Sequence, residues 1–182
     1  MAQLHDYQQR GVAHLHENPR AGLFMEPGLG KTATALSALT PEHLPVLVIA
    51  PKRVAMRVWP AEVAKWRPDL SIAVAVGSPQ KRARVLDGRT DITTIAMDSI
   101  KDVPEKHKYR TVIIDESHNF KSRDTIRWRI GKKVTKHAEK VWLLTGTPTG
   151  NSTLDLWPQV YLLDGGERLG VEIAGRKNTG IT

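Results

Sequence analysis

Met25-Glu26-Pro27-Gly28-Leu29-Gly30-Lys31-Thr32 is the stretch on which the reading of this chain turns. An apolar run at 22–25 precedes it, and an alanine-rich run of helical period, 31–39, follows. A glycine-rich loop between a strand and a helix suits phosphate: glycines let backbone amides curl inward, and the helix presents its positive N-terminus. In that frame Pro27, Gly28, Leu29 and Gly30 form the cradle. Lys31 reaches the β and γ oxygens, and the Thr32 hydroxyl holds magnesium. Met25 stands where the general pattern has its first glycine. Read in isolation, Gly-x-Gly-Lys-Thr is also compatible with a tight glycine turn before a helix.

Working outward, short apolar runs recur at 46–50, 72–76, 92–96, 112–114 and 141–144. Each has the length and β-branched content of a buried strand. Helical stretches at 8–16, 61–66, 79–86, 125–138 and 154–162 lie between or beside them. Strands alternating with helices imply right-handed crossovers, and hence a parallel sheet covered on both faces. The expected fold is α/β, a three-layer parallel sheet with helices on both sides. Pro60 suits the first turn of the helix that begins there.

Two further motifs fall at strand ends. Thr111-Val112-Ile113-Ile114-Asp115-Glu116-Ser117-His118 is a β-branched run closing on two carboxylates. Alone it reads equally as a solvated turn. Beside a phosphate loop, Asp115 takes magnesium and Glu116 polarises an attacking water. Leu143-Leu144-Thr145-Gly146-Thr147-Pro148 is an apolar strand ending in small hydroxyl residues able to bond across to the acidic motif.

In this order, the three motifs resemble the first lobe of superfamily-two helicases, in the branch that holds the chromatin remodellers and related phage proteins. The likeness covers nearly the whole chain. It implies a RecA-like ATP-binding lobe of an ATP-dependent DNA helicase or translocase, with ATP and Mg2+ as cofactors. Asp115-Glu116-Ser117-His118 matches that branch's Asp-Glu-x-His box, and Leu144-Thr145-Gly146-Thr147-Pro148 its coupling motif, so His118, Thr145 and Thr147 become coupling residues. That branch often carries a non-glycine residue at the position of Met25. Leu4-His5-Asp6-Tyr7-Gln8 resembles the glutamine motif, making Gln8 the reader of the adenine edge. Ala50-Pro51-Lys52-Arg53, with Trp59, Glu62 and Trp66, resembles the segment that meets the nucleic-acid backbone, where Lys52 and Arg53 supply charge. For Trp59 and Trp66 core packing is the preferred reading over base stacking. Ile95-Ala96-Met97-Asp98-Ser99 takes the place of another strand-contacting motif but lacks its aromatic residue.

Composition fits these expectations. A net charge of +8 favours a polyanionic partner, although a merely basic surface would give the same number. Segment 121–140 carries eight basic residues against two acidic. Its Arg129, Lys132, Lys133, Lys136 and Lys140 read as one helical face, with Ile126, Ile130 and Val134 turned to the core; a solvated surface helix is the simpler account. With no cysteine and no signal segment, a cytoplasmic setting in a bacterium or an infected host is expected. The lobe is expected over 1–164, with 165–182, which holds five glycines, as a flexible tail.

The resemblance also implies an arginine from a second lobe. Gln80-Lys81-Arg82-Ala83-Arg84 precedes the acidic motif and cannot be that element. A second lobe, in a separate chain or a missing segment, is therefore the expected partner besides DNA. The competing function is a nucleotide- or nucleic-acid-binding module without useful turnover, regulating another protein. A small-molecule kinase or GTPase is disfavoured by the Asp-Glu-x-His box and by the lack of a guanine-reading Asn-Lys-x-Asp motif. Lys31→Ala should abolish ATP binding, because the loop loses its only side-chain charge facing the phosphates. Isothermal titration giving parental affinity in that variant would remove the phosphate-loop assignment.

Overall fold

The computed structural model describes residues 3–120, 122, 125–148 and 156–167. Helix α1 (Asp6–Glu17) leads into β1 (Arg20–Phe24), and α2 (Lys31–Ser37) follows the glycine loop. The chain continues through β2 (Val46–Ala50), α3 (Trp59–Trp66), β3 (Ile72–Ala75), α4 (Pro79–Asp87) and β4 (Ile92–Ala96). It ends with β5 (Thr111–Asp115), α5 (Ile126–Lys136), β6 (Lys140–Thr145) and α6 (Trp157–Asp164). Among the described residues six strands form one parallel sheet, in the order β1-β6-β5-β2-β4-β3. The α/β expectation holds.

Side chains alternate across the strands, and this alternation divides the interior in two. Val46, Val48, Ile113, Trp142 and Leu144 pack with Leu15, Leu36 and Val63 from α1, α2 and α3. Leu47, Ile49, Ile114, Val141 and Leu143 face Leu86, Val134 and Leu162 from α4, α5 and α6. Strands buried on both faces read as continuous apolar runs, which is why they were legible in the sequence.

Helix boundaries shift where local chemistry overrides periodicity. α3 is longer than the expected 61–66, because residues 52–66 are helical throughout, with a π segment, Val54–Val58, leading into it. α6 begins at Trp157; positions 154 and 155 of the expected helix, and the expected tail from 168 onward, lie outside the described residues. Two expectations for the basic segment fail. Ile126 is 70% exposed because it is the first residue of α5, ahead of the turn that packs inward. Lys140 is not on the helical face but opens β6. Elsewhere on α5, Lys132 lies over the rings of Trp128 and Tyr161, and Lys133 faces Glu105 at 3.8 Å. These contacts fit a surface helix.

At the entry end of the strands, His43 is 1% exposed, packs at a tilt against the Trp142 ring and has Lys140 Nζ 3.2 Å from its Nε2. Burial, reinforced by the Lys140 ammonium, lowers its pKa to about 4. Unfolded, the imidazole titrates near 6.5, so between these values the unfolded chain binds the extra proton. The stabilisation is complete above pH 6.5 and is lost as pH falls towards 4, by at most about 1.4 kcal/mol per unit. Urea unfolding at pH 7 and at pH 4.5 should show a smaller loss in His43→Asn than in the parent.

Candidate nucleotide site

The outgoing ends of β1, β6 and β5 lie side by side. Phe24 is level with Thr145, and Asp115 with Leu144, so β6 stands between the glycine loop and the acidic box. The Met25 amide donates to the Thr145 carbonyl at 3.1 Å, which anchors the start of the loop to β6. Gly28 (φ 86°) and Gly30 (φ 75°) hold left-handed backbone, closed to most side chains, and Pro27 to Leu29 are exposed. Gly146 is required for another reason. A Cβ there would stand 2.8 Å from Pro27 Cδ and 3.3 Å from Pro27 N, so the coupling motif and the loop touch backbone to ring.

Lys31 opens α2 and is 9% exposed. Its ammonium donates to the carbonyls of Met25 (3.0 Å) and Glu26 (3.4 Å). Among the described residues it forms no ion pair. A nearly buried cation satisfied only by neutral carbonyls, at a helix N-terminus, is suited to an incoming phosphate. The following Thr32 is half-buried on the same turn.

Asp115 is 4% exposed. Its Oδ1 accepts the Glu116 amide at 2.9 Å, and its Oδ2 accepts the Trp59 indole N–H at 3.0 Å. Burial pushes its pKa up, and the Trp59 bond opposes that shift. A buried carboxylate beside a glycine loop, a lysine and a threonine hydroxyl is a donor set that fits magnesium with a triphosphate. Glu116 adopts φ 52°, left-handed for a non-glycine residue, where the strand breaks into the turn Ser117–Phe120. The Asn119 amide donates to its carbonyl at 2.9 Å. His118 Nδ1 lies 3.2 Å from Thr145 Oγ1 and 3.3 Å from Glu116 Oε2, so one ring nitrogen faces both a hydroxyl and a carboxylate oxygen. Thr145 Oγ1 in turn accepts the Thr147 amide at 3.1 Å; the Thr147 side chain itself is exposed.

Gln8 is drawn to the same edge. Its Oε1 accepts the His5 amide at 2.9 Å, and its Nε2 donates to the Leu29 carbonyl at 3.2 Å. Lys52 and Arg53 are exposed at the end of β2, in the first turn of the helical segment.

Two residues of this network had not been assigned to it from the sequence. Trp59 is fully buried, as expected of a core aromatic, yet its N–H reaches the site. Gln159, also fully buried, accepts the Ser117 hydroxyl at 2.8 Å and donates to Pro148 O at 2.6 Å, tying the acidic box to the coupling motif. A polar residue inside the apolar run of α6 was the only signal. By contrast, the buried indole nitrogen of Trp66 finds no hydrogen-bond partner among the described residues, and the ring carries the Lys65 ammonium 5.4 Å from its centroid. A cavity of about 600 Å³ lined by Arg20, Lys132 and Tyr161 opens at the opposite end of the sheet. Arg20 spends its donors there on the carbonyls of Thr135, Ala138 and Leu163, a structural use.

Loop, acidic box and hydroxyl strand, assembled at the exit edge of one parallel sheet, define a P-loop nucleotide-binding lobe. Residues 7–166 match the SNF2-related domain, and the chain belongs to that family. It is 34% identical over 185 residues to putative protein p41 of Acyrthosiphon pisum secondary endosymbiont phage 1, a match spanning 90% of this chain and 40% of the relative. It is 31% identical to the ISWI chromatin-remodeling complex ATPase ISW1 of Saccharomyces cerevisiae, across 88% of this chain and 16% of the relative. Among solved structures, the Sulfolobus solfataricus SWI2/SNF2 ATPase core in complex with dsDNA superposes with a TM-score of 0.82 at 26% identity, covering 91% of this chain and 36% of that one. The chain thus spans two fifths or less of these relatives.

Gly146→Ala should displace the loop from β6, costing about 1–3 kcal/mol as overpacking does. Urea unfolding together with titration of a fluorescent ATP analogue checks this, and the variant should be weaker in both.

Proposed function

We propose that this chain is the ATP-binding lobe of an ATP-dependent DNA translocase. The observation that carries the reading is the meeting of three groups at one sheet edge: a nearly buried Lys31 with no ion-pair partner among the described residues, the Asp115–Glu116 pair, and the Thr145 hydroxyl beside His118. The family's relatives include an ATPase and a core bound to duplex DNA, which supports nucleotide use and a DNA partner.

In this reading the loop amides of residues 27–31 and the Lys31 ammonium hold the phosphates. Lys31 exchanges the carbonyls of Met25 and Glu26 for phosphate oxygens. Thr32 and Asp115 would hold magnesium, which when bound neutralises charge on the β and γ phosphates. Glu116 Oε accepts the proton of the attacking water. Gln8 keeps the loop against α1 and turns its amide to the adenine edge. His118, shared between Glu116 and Thr145, links the base to the coupling strand. Lys52 and Arg53, on the exit edge beyond β2, take DNA phosphates. Thr147 extends the coupling strand towards that surface.

An arginine on a second body completes the site. In phosphoryl transfer such a residue is worth roughly 10³ to 10⁵ in rate, so turnover by the 182-residue chain by itself is slow. Movement along DNA likewise needs two bodies that close on ATP and reopen.

Glu116→Gln should leave magnesium-dependent ATP binding within about twofold of the parent and remove phosphate release, since an amide cannot take the water's proton. The assay is run with duplex DNA, with and without the added second lobe of an SNF2-family protein. Parental turnover in the variant would exclude Glu116 as the base. Nucleotide binding that never supports turnover, even when complemented, would favour a regulatory binding module instead.

A further inference from the structure

Residues 52–66 form a single helical run that starts at the exposed Lys52 and Arg53 and carries Trp59 into the interior. The π segment Val54–Val58 gives this run its inward register. An extra residue in a helical turn rotates everything after it and frees a carbonyl of its usual partner. The Thr94 hydroxyl on β4 occupies the Ala55 carbonyl at 2.8 Å, and Ala55 is fully buried, so the bulge is clamped to the sheet. Just past it, Trp59 is 0% exposed, and its indole N–H lies 3.0 Å from Asp115 Oδ2. Packing around the indole comes from the α1–α3 side of the sheet, including Val63 one turn on.

The Asp115 carboxylate has few other ways to be oriented. Oδ1 is held by the amide of its own neighbour, Glu116, and Oδ2 by Trp59. The first bond is local and follows the backbone. The second reaches across 56 residues and stops the carboxylate from rotating about its terminal torsion. An outer hydrogen bond of this kind fixes a ligand's orientation and is typically worth about 10- to 100-fold in metal affinity.

We infer that Trp59 is a positioning residue for Asp115, setting the carboxylate for magnesium through its indole N–H. This rests on the proposed nucleotide reading and deepens it. The same side chain makes the helix that starts with the DNA-facing pair Lys52 and Arg53 continuous with the metal-binding carboxylate, six residues from Arg53 to Trp59. A shift of that helix along the sheet therefore moves the donor on Asp115, with no intervening side chain.

The test uses the 182-residue chain, a fluorescent ATP analogue and a magnesium titration, with nucleotide affinity in EDTA measured in parallel. Trp59→Phe keeps an aromatic ring in the pocket and removes the N–H. Val63→Ala leaves the N–H and opens a hole in the same packing. Trp59→Phe should raise the half-saturating magnesium concentration about 10-fold while leaving affinity in EDTA within twofold of the parent. Val63→Ala should lose thermal stability without that rise. Replacing Trp59 by benzothienylalanine, which has the indole's shape without its N–H, should reproduce the Phe result in a chain of parental melting temperature. An unchanged magnesium midpoint in that isosteric chain, or an equal rise in Val63→Ala, would overturn the role. A parent chain that binds the analogue with no response to magnesium would overturn the nucleotide reading itself and this assignment with it.

Discussion

A parallel strand delivers every outgoing residue to the same edge of its sheet, and six strands running one way concentrate that edge's chemistry. Here the constraint acts through β6. Because β6 pairs with β1 on one side and β5 on the other, Thr145 stands between the glycine loop and the acidic box. The Met25 amide, the Pro27 ring and the His118 imidazole all contact residues of the Thr145-Gly146 step. If β6 were displaced by one residue, its side chains would exchange faces, Trp142 would leave its packing with α1–α3, and the hydroxyl would turn from His118.

Much of this was legible in the sequence, for a specific reason. Strands buried on both sides need unbroken apolar runs, and each run here ends in residues whose chemistry differs sharply from the core: glycines and Lys31, then Asp115 and Glu116, then Thr145. The positions of Lys31, Asp115 and Thr145 therefore followed from runs and their ends, and His118 from the resemblance of the acidic box. The hydroxyl strand was expected to bond across to the acidic motif, and Thr145 Oγ1 lies 3.2 Å from His118 Nδ1 of that motif. The likeness to a helicase lobe then supplied Gln8, whose contact with the loop carbonyl of Leu29 no local pattern would have indicated.

What sequence left out is cross-chain. Trp59 was read as core packing, and it is buried; its polar edge matters only because β2 and β5 are neighbours, bringing position 59 to position 115. Gln159 looks like an interruption in α6 until α6 is laid against the turn after β5. Ile126 and Lys140 were misplaced for the opposite reason. A period of 3.6 says which residues share a face, but not where a helix starts or stops, and both lie at ends. The π segment is likewise invisible to periodicity, since one inserted residue looks like noise in a short window.

Glu116 holds its left-handed backbone without the freedom of glycine, a conformation that costs a non-glycine residue on the order of 1–3 kcal/mol. The turn that aims its carboxylate is thus maintained against its own conformational preference. A glycine at that position would relax the backbone and remove the carboxylate proposed as the base in the same step. If Glu116 serves as proposed, selection for thermal tolerance and selection for turnover pull in opposite directions at this one site, and a lineage of this fold freed from hydrolysis would be expected to drift there first.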